Sequence, residues 1–497
     1  MGLAIYPFTL LLGIATALVA SMSLAAWWQM LLLAMLWRII DRHHYHGIGY
    51  QTRLAWIFGL GYFTQGLWWL YISLHDIGGM PFWMAVSAVL LLSAFLAIFP
   101  SLAVYIGARF YQKSYSAIAW ASAWTLMEWA RAHVLTGFPW IGFADAQVSG
   151  PFMGLIPIFG VLGATFAAVW GSYKIGSAPG RLFLPLISLF FAIGISSLLA
   201  GIEYTEPVGK RFDVRLLQGN FPMTTVYSDE QLRTQNAFYL EAFTQKPADL
   251  ILAPETAITI PENLLPPNWD QRIKEYLSTN QISLLTGIVG VSGKYYANRA
   301  LGYQPNGATY VYDKSHLVPF GEYIPPGFEW FVRAIQAPLS QFARGDSNQA
   351  HFPLNRAQQA TLYGAVMICY EDVFGSEIAS RLRSSKNPPN FLINMTNLAW
   401  FGNTSAPWQH LRLAQLRSLE TGLPTIRATN TGVTAIIDAK GKVQVQLPIF
   451  EQDVLTGSVQ AMTGSTPYVL LGDRPIITLS FLILALCWWK RRQSKKP

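Results

Sequence analysis

Cysteine is scarce in this chain, since only Cys369 and Cys487 occur among its 497 residues. Cys487 lies in the last apolar run, so the polar segment that contains Cys369 has no second thiol. This excludes a disulfide framework for that segment. Cys369 closely follows a strand-like run at 361–366, and a lone thiol in that position is either a small buried hydrophobe or a nucleophile.

Charged residues are also few. They make up 12% of the sequence, whereas soluble proteins carry about a quarter. Hydrophobic residues make up 52% and the mean hydropathy is +0.29, so an ordinary soluble protein is excluded. The net charge of +8 is spread over short loops and the C-terminal end, which argues against a nucleic-acid partner. The composition predicts a protein that contacts a lipid bilayer.

Long apolar runs predict where the chain crosses that bilayer, because about 20 apolar residues span it as a helix. Eight runs qualify: 3–20, 24–40, 54–74, 81–108, 115–134, 151–172, 182–201 and 475–489. The first run lacks the basic start and the cleavage site of a signal peptide, so we interpret it as a span. The sequence thus predicts an α-helical membrane bundle of eight transmembrane helices.

Lysine and arginine indicate the orientation of these spans. They concentrate in the loops after the second, fourth and sixth spans and in the C-terminal tail. Because positive residues favour the cytoplasmic face, we expect both termini in the cytoplasm of a bacterium. A seven-helix membrane domain (1–201) then precedes a domain at 202–474 on the periplasmic side of the inner membrane. The eighth helix and a basic cytoplasmic tail follow at 475–497.

The exported segment has the pattern of one α/β domain. Apolar strand-like runs alternate with helical stretches, which predicts a sheet with both faces covered. Three polar residues each follow a different run, namely Glu255, Lys314 and Cys369. Ligands bind outside the carboxyl ends of strands in such sheets, so these residues predict a functional site.

A carboxylate, an ammonium and a thiol form a coherent catalytic set. A thiol titrates near pH ~8.5, so Cys369 needs a base, and Glu255 suits this role if burial raises its pKa. Lys314 would stabilise the thiolate and then the oxyanion of a tetrahedral intermediate, giving an acyl-thioester enzyme. Such residues also follow strands by chance, so spacing alone leaves an inert buried cysteine open.

Three motifs carry a resemblance to a known family. They are Pro-Glu-Thr-Ala at 254–257, Asp-Lys-Ser-His-Leu-Val-Pro-Phe-Gly-Glu at 313–322 and Cys-Tyr-Glu-Asp at 369–372. These motifs resemble the three catalytic segments of the nitrilase superfamily. Together with the order of seven spans, one exported domain and a final span, they resemble its membrane-embedded branch, the apolipoprotein N-acyltransferases. Residues 217–220 and 427–432 extend the resemblance.

The resemblance implies a fold and a set of roles. The fold is an inserted, nitrilase-like α/β domain, an αββα sandwich, in which Glu255 is the general base, Lys314 the electrostatic stabiliser and Cys369 the nucleophile. Supporting positions near this triad are implied to hold the lysine, help transfer protons or position the nucleophile: Glu322, Tyr370 and Glu371. A surface acid, a packing aromatic ring and a structural ion pair are the alternative interpretations of these three.

The implied reaction consists of two acyl transfers. Cys369 takes a fatty-acyl chain from a membrane phospholipid and passes it to the free α-amino group of the N-terminal S-diacylglyceryl-cysteine of a lipoprotein. We expect no cofactor and no metal, because no nucleotide fingerprint or zinc spacing occurs. We also expect the protein to be a monomer. The histidines of a basic loop are interpreted as solvated rather than as metal ligands: His43, His44 and His46.

Aromatic loops supply candidate contacts for the acyl chains. Trp330, Phe331 and Trp400 lie in apolar, loop-like sequence that would favour aggregation on a soluble hydrolase. The family has a functionally important tryptophan where this chain has Tyr227, and a tyrosine there could still contact lipid. Packing of these loops on the domain core is the alternative interpretation.

Two other functions fit parts of the sequence. A membrane-tethered, nitrilase-like amidase would resolve the thioester with water, but a hydrolase of small amides has no need of aromatic loops for lipid entry. A transporter or lipid-binding protein would carry an inactive domain. Transporters usually show internal repeats and charged residues within their spans, and this sequence has little of either.

Overall fold

The computed structural model describes most of the chain, namely residues 4–22, 24–110, 116–176, 183–223, 228–245, 247–266, 269–327 and 341–493. The chain divides into two compact units. The first comprises Met1–His75, Met80–Glu203 and Leu471–Pro497, and the second comprises Asp76–Gly79 and Tyr204–Leu470. Each unit has its own set of secondary-structure elements.

The first unit is helical. Its elements are α1 (Ile5–Leu18), α2 (Ala25–Arg42), α3 (Ile48–Gly66), α4 (Phe82–Leu96), α5 (Ile98–Arg109), α6 (Ser116–Arg131), α7 (Ile156–Gly176), α8 (Phe183–Ala200) and the C-terminal helix Arg474–Gln493. A helix occupies each of the eight apolar ranges. This fits a lipid environment, where a helix satisfies every backbone polar group within its own segment.

Length and hydropathy distinguish these helices. Among the described residues, three helical stretches are long and apolar enough to cross a membrane: Phe82–Arg109, Met153–Gly176 and Phe183–Ala200. The first contains two helices, α4 and α5, which meet at Ala97 where the sequence predicted one span. A helical N-terminal region that fits a membrane protein is confirmed, whereas the count of eight spans stays a prediction.

The second unit contains two six-stranded sheets. The first has the order β13-β2-β3-β4-β5-β6, with β2 (Phe212–Gln218), β3 (Leu250–Leu252), β4 (Ser283–Ser292), β5 (Tyr295–Tyr303), β6 (Thr309–Asp313) and β13 (Asp453–Val459). The second has the order β12-β11-β10-β9-β8-β7, with β7 (Phe352–Leu354), β8 (Leu362–Ile368), β9 (Phe391–Thr396), β10 (Thr425–Thr429), β11 (Ala435–Ile437) and β12 (Val443–Gln446). A short ladder pairs β1 (Thr205–Pro207) with β14 (Met462–Gly464).

The two sheets pack face to face and carry helices on their outer faces. Buried apolar side chains of both sheets, such as Val214 and Val366, share one core. The helices of this unit are α9 (Asp229–Ala242) and α10 (Trp269–Asn280) on the first sheet, α11 (Gly375–Ser384) and α12 (Ala406–Thr421) on the second, and the short α13 (Pro467–Leu471). Strands that are apolar on both faces need cover on both sides, which produces this αββα order.

Strand direction decides where the residues that follow the strands lie. Strand β3 is parallel to β4, and β4, β5 and β6 alternate in direction, so β3 and β6 end at the same edge of the first sheet. In the second sheet, β8 runs parallel to β9, and β9 runs parallel to β10. The segments after β3, β6 and β8 carry the three predicted residues.

Candidate active site

The structure brings the predicted trio together. Glu255 follows β3, Lys314 directly follows β6, and Cys369 directly follows β8 of the opposite sheet. The Lys314 ammonium, only 1% exposed, lies 3.3 Å from Glu255 Oε1. The charges of both residues act on the thiol of Cys369, a residue that is partly exposed. A carboxylate, an ammonium and a thiol therefore share one site between the carboxyl ends of the two sheets.

Glu255 is held by three donors. Its Oε1 accepts a hydrogen bond from Asn298 Nδ2 at 2.7 Å as well as the contact from Lys314. Its Oε2 accepts from the backbone N–H of Asn397 at 2.8 Å, just after β9. The carboxylate is thus fixed by both sheets, and a base that is held in place needs no reorganisation during proton transfer.

Glu322 is the second carboxylate on Lys314. Its Oε1 accepts from Lys314 Nζ at 2.9 Å and from Asn298 Nδ2 at 2.9 Å, and its Oε2 accepts from the backbone of Val318 at 2.8 Å. Burial alone lowers the pKa of Lys314, but the charges of Glu322 and Glu255 outweigh it and raise that pKa above its ordinary value. Lys314 is therefore a fixed positive charge at neutral pH.

The backbone of Cys369 is strained. Its φ of +50° lies in the left-handed region, which costs a residue other than glycine about 1–3 kcal/mol. A short 3₁₀ turn, Cys369–Val373, begins at this residue. We call this segment the nucleophile turn. Such strain persists only where the surrounding structure holds it, and it occurs disproportionately at functional sites.

The Cys369 thiol is protonated in the resting site. Burial and the Glu255 carboxylate raise its pKa, while the Lys314 ammonium and the Thr396 hydroxyl lower it by less. Only the thiolate is strongly nucleophilic, so this thiol must lose its proton as it reacts. The site places a carboxylate beside the thiol to receive that proton.

Glu371 braces the two sheets against each other. Its Oε1 accepts from the backbone N–H of Ser315 at 2.7 Å, from the Ser315 hydroxyl at 2.6 Å and from the Tyr312 hydroxyl at 2.8 Å. Its Oε2 accepts from the backbone N–H of Ile368 at 2.6 Å. The carboxylate thereby ties the segment of Lys314 to Ile368, the residue that precedes Cys369. Glu371, one of the three predicted supporting residues, thus contacts both the segment after β6 and the end of β8.

Tyr370 packs within the nucleophile turn. Its ring is buried and meets the rings of His316 and Phe374 at centroid distances of 5.6 Å and 5.1 Å. His316 also stacks on Phe374 at 3.8 Å. These aromatic contacts connect the segment after β6 with the turn after β8. The hydrogen bonds of Glu371 connect the same two segments. The alternative interpretation of Tyr370 as a packing aromatic describes these contacts well.

The predicted acyl-chain contacts are only partly described. Tyr227, Trp330 and Phe331 lie outside the described residues. Trp400 lies in a single 3₁₀ turn, Ala399–Phe401, and is 36% exposed. This turn begins two residues after Asn397, whose backbone holds Glu255. Trp400 is therefore near the site along the chain and has a face available to an apolar ligand.

Sequence reasoning missed Asn298, which lies at the centre of the site. Its side-chain nitrogen donates to both Glu255 and Glu322, and its backbone oxygen accepts from the backbone N–H of Lys314 at 2.8 Å. Asn298 lies within β5 rather than after a strand, so the strand-end criterion could not find it. A usable signal was present, because a buried amide in the middle of a strand has to meet polar partners.

The described residues give no indication of a metal centre. Within the described ranges, no group of three or more His, Cys, Asp or Glu is arranged to hold a metal ion.

Comparison with known protein families identifies the class of protein. Residues 214–468 match the carbon-nitrogen hydrolase family, and residues 10–173 match the N-terminal domain of apolipoprotein N-acyltransferase. The second unit is thus a carbon-nitrogen hydrolase domain joined to a helical region that fits a membrane protein. A solved CN-hydrolase superfamily protein from Xanthomonas campestris is 16% identical, covers 51% of this chain and 92% of its own, and has a TM-score of 0.37.

Full-length relatives give the particular family. The apolipoprotein N-acyltransferase of Ralstonia nicotianae is 39% identical over 98% of this chain and 94% of its own length. That of Bordetella bronchiseptica is 37% identical over 89% of this chain and 88% of its own length. The chain belongs to the apolipoprotein N-acyltransferase family, and the resemblance seen in its motifs is confirmed.

Proposed function

We propose that this protein transfers a fatty-acyl chain from a membrane phospholipid to the N-terminal S-diacylglyceryl-cysteine of lipoproteins. Family membership and the names of its relatives support lipoprotein N-acylation. The observation that carries the mechanism is the buried contact of Lys314 with Glu255 beside Cys369, a residue that is partly exposed. This would be the last step in the maturation of a lipoprotein.

In the first half of the reaction, Cys369 becomes acylated. Glu255 takes the thiol proton as Sγ attacks the carbonyl carbon of a phospholipid ester, and a C–S bond forms. The Lys314 ammonium stabilises the oxyanion of the tetrahedral intermediate. The C–O bond of the ester then breaks, and Glu255 returns the proton to the departing oxygen of the lysophospholipid. The thiol thus holds the acyl chain as a thioester.

In the second half, an amine resolves the thioester. The α-amino group of the lipoprotein has a pKa near ~8, so part of it is neutral and nucleophilic at neutral pH. It attacks the thioester carbonyl, Glu255 receives an amine proton, and the C–S bond breaks. The proton passes to the sulfur of Cys369, which restores the thiol. The products are an N-acylated lipoprotein and the free enzyme.

The remaining site residues act through the triad. Glu322 holds the Lys314 ammonium, and its second hydrogen bond, from Asn298, keeps that carboxylate in place. Glu371 and Tyr370 position the nucleophile turn through their contacts with the segment after β6. We propose no cofactor and no metal for this reaction.

The proposed arrangement of the protein in the membrane is the one predicted from its apolar runs and from the placement of lysine and arginine. We propose eight spans, both termini in the cytoplasm, and domain boundaries of 1–201, 202–474 and 475–497. The catalytic domain then faces the periplasm of a bacterial inner membrane, and the protein is active as a monomer. The apolar helices of the N-terminal region support the membrane part of this proposal.

The acyl chains of both substrates require apolar contacts near the thiol. We propose that Tyr227, Trp330, Phe331 and Trp400 supply them. The exposure of the Trp400 ring supports this role for one of the four. Since both substrates are anchored in lipid, a large apolar surface near the site would meet them at the bilayer.

Mass spectrometry of the intact protein tests the proposed function. After incubation with phospholipid, we expect a mass increase of one fatty-acyl chain on Cys369, and a diacylated lipopeptide with a free amine should remove it. The lipopeptide should gain the same acyl chain. Release of free fatty acid instead would show that water rather than the amine resolves the thioester, as in a hydrolase, and a wild-type protein without any adduct would contradict the thioester mechanism.

Substitution of Asn298 tests whether the orientation of the two carboxylates beside Lys314 matters for the reaction. We expect Asn298→Leu to slow acyl-enzyme formation about 10–100-fold, since Glu255 and Glu322 each lose a donor that orients them. Asn298→Asp should be slower still, because a third carboxylate would join a single ammonium. The rate of adduct formation in a single turnover is the measurement.

Asn236 provides the matched control for Asn298. It is similarly buried, and its side-chain nitrogen also donates twice, to the Leu232 carbonyl and to the Thr259 hydroxyl. Its Oδ1 also accepts from the backbone N–H of Thr259, so Asn236→Leu loses three hydrogen bonds against two in Asn298→Leu, without touching the triad. Equal rates for the two leucine variants would show that the effect at Asn298 is a general loss of stability.

A further inference from the structure

A buried polar cluster lies beneath the nucleophile turn. It joins His410 of α12, Asp372 of the turn itself, Asn394 of β9 and Arg427 of β10, and each of these residues has no exposed surface. The mechanism proposed above uses none of them. Charges buried to this degree are retained only with hydrogen-bonded partners, so each contact within the cluster constrains the others.

The contacts define the protonation of His410. Arg427 Nη2 lies 2.6 Å from His410 Nδ1, and a guanidinium can only donate hydrogen bonds. Nδ1 must therefore be an unprotonated acceptor, which leaves the ring proton on Nε2. Burial lowers the pKa of His410, and the Arg427 charge adds to this against the opposing effect of Asp372. The ring is neutral at neutral pH with its single proton on Nε2.

That proton points at the nucleophile turn. His410 Nε2 lies 2.7 Å from Asp372 Oδ1 and 3.3 Å from the backbone carbonyl oxygen of Cys369. It thus contacts residues near both ends of the turn at once. The contact with the Asp372 carboxylate is the shorter of the two, and the longer one reaches the carbonyl of Cys369, so the imidazole touches the strained backbone of this residue.

The rest of the cluster anchors His410 and the turn to the sheet. Asp372 Oδ2 accepts from Asn394 Nδ2 at 3.0 Å and from Arg427 Nη1 at 3.4 Å. Arg427 also donates to Asn394 Oδ1 at 2.5 Å and to the carbonyl of Val433 at 3.1 Å. The turn is therefore connected to two parallel strands and one helix through contacts of Asp372, and these contacts restrict its movement.

We propose that His410 is a positioning residue of the acyltransferase, which holds Cys369 in its left-handed conformation by donating to its carbonyl. Asp372 and Arg427 orient the imidazole for this task. The inference rests on the proposed role of Cys369 as the nucleophile. It assigns His410 no part in proton transfer, since its only proton is used in these fixed contacts and Arg427 blocks its other nitrogen.

Two amide substitutions separate the contacts of His410. In His410→Asn, the short amide can still accept from Arg427 at the place of Nδ1, but no donor reaches Asp372 or the Cys369 carbonyl. In His410→Gln, the longer amide can place a donor where Nε2 was. We expect acyl-enzyme formation from phospholipid to slow about 100-fold in the first variant, because a small displacement of the nucleophile has that effect. The second variant should keep most of the wild-type rate.

The same substitutions at His351 are the control. His351 is also buried, and burial with the nearby Arg381 charge lowers its pKa to about 3, so it is a neutral histidine of the same domain. We expect His351→Asn and His351→Gln to form the adduct at equal rates. Thermal unfolding of all four variants shows whether any rate difference follows stability instead.

The outcomes separate the positioning role of His410 from the proposed function. If His410→Gln is as slow as His410→Asn, a donor at the place of Nε2 does not restore the reaction and the positioning role is wrong. If both react at the wild-type rate, the contact with Cys369 has no effect and the inference is also wrong. A wild-type protein that forms no adduct would instead refute the proposed function and leave the variants without a reaction to compare.

Discussion

Cys369→Ala should form no acyl-enzyme and should lose lipoprotein N-acylation by roughly 10⁴-fold or more, as expected when a covalent nucleophile is removed. Alanine keeps the carbonyl that contacts His410 and leaves Glu255 and Lys314 paired. The substitution therefore removes the nucleophile and little else. Intact mass after phospholipid exposure and acylation of a diacylated lipopeptide are the two measurements.

Cys487→Ala is the matched control for this prediction. Cys487 is the other cysteine of the chain and lies in the C-terminal helix, in the first unit. This variant should carry the adduct and acylate the lipopeptide at the wild-type rate. If Cys369→Ala retained N-acylation, the domain would serve binding rather than covalent catalysis, and the lipid-binding alternative would regain support.

The strand-end rule predicted the triad for a physical reason. Glu255 and Lys314 follow strands that end at the same edge of one sheet, and Cys369 joins them from the other sheet. The sequence pattern placed each of the three after a strand, but only the motif resemblance indicated that they lie together. The contacts that the structure shows bring these three residues together, while their roles stay a prediction.

Other parts of the site do not follow a strand and so escaped the strand-end rule. Asn298 lies inside a strand, and His410 lies on a helix 41 residues from the carbonyl that it contacts. Nothing in a linear sequence states which helix packs beneath a given turn. Glu371 was expected to position the nucleophile, but its bridge to Ser315 across the two sheets depends on how those sheets stack.

The membrane region shows a different limit. An apolar run at 81–108 has the length of one long span, and hydropathy alone cannot detect that α4 ends and α5 begins near Ala97. Periodicity is a weak signal in lipid, where apolar residues occur on every face of a helix. The orientation inferred from lysine and arginine stays a prediction for the same reason, because it depends on the spans.

Glu255→Gln should separate proton transfer from thiol ionisation. We expect acyl-enzyme formation to fall about 10²–10⁴-fold, since glutamine cannot accept the thiol proton. Alkylation of Cys369 by iodoacetamide at neutral pH should instead become faster. The Glu255 charge raises the pKa of the thiol, so its removal lowers that pKa and increases the thiolate fraction at any given pH.

Glu322→Gln is the control, because Glu322 also contacts Lys314 and also raises the pKa of Cys369, although its effect is the smallest of the five contributions. We expect Glu322→Gln also to form the acyl-enzyme more slowly and to be alkylated faster, with both changes smaller than in Glu255→Gln. The rate of alkylation should be measured from pH 6 to pH 9. We expect its pH profile to lie at lower pH in Glu255→Gln than in the wild-type protein. Acyl-enzyme formation at the wild-type rate would remove Glu255 as the base. Slower alkylation would show that this carboxylate favours the thiolate, contrary to the electrostatics of the site.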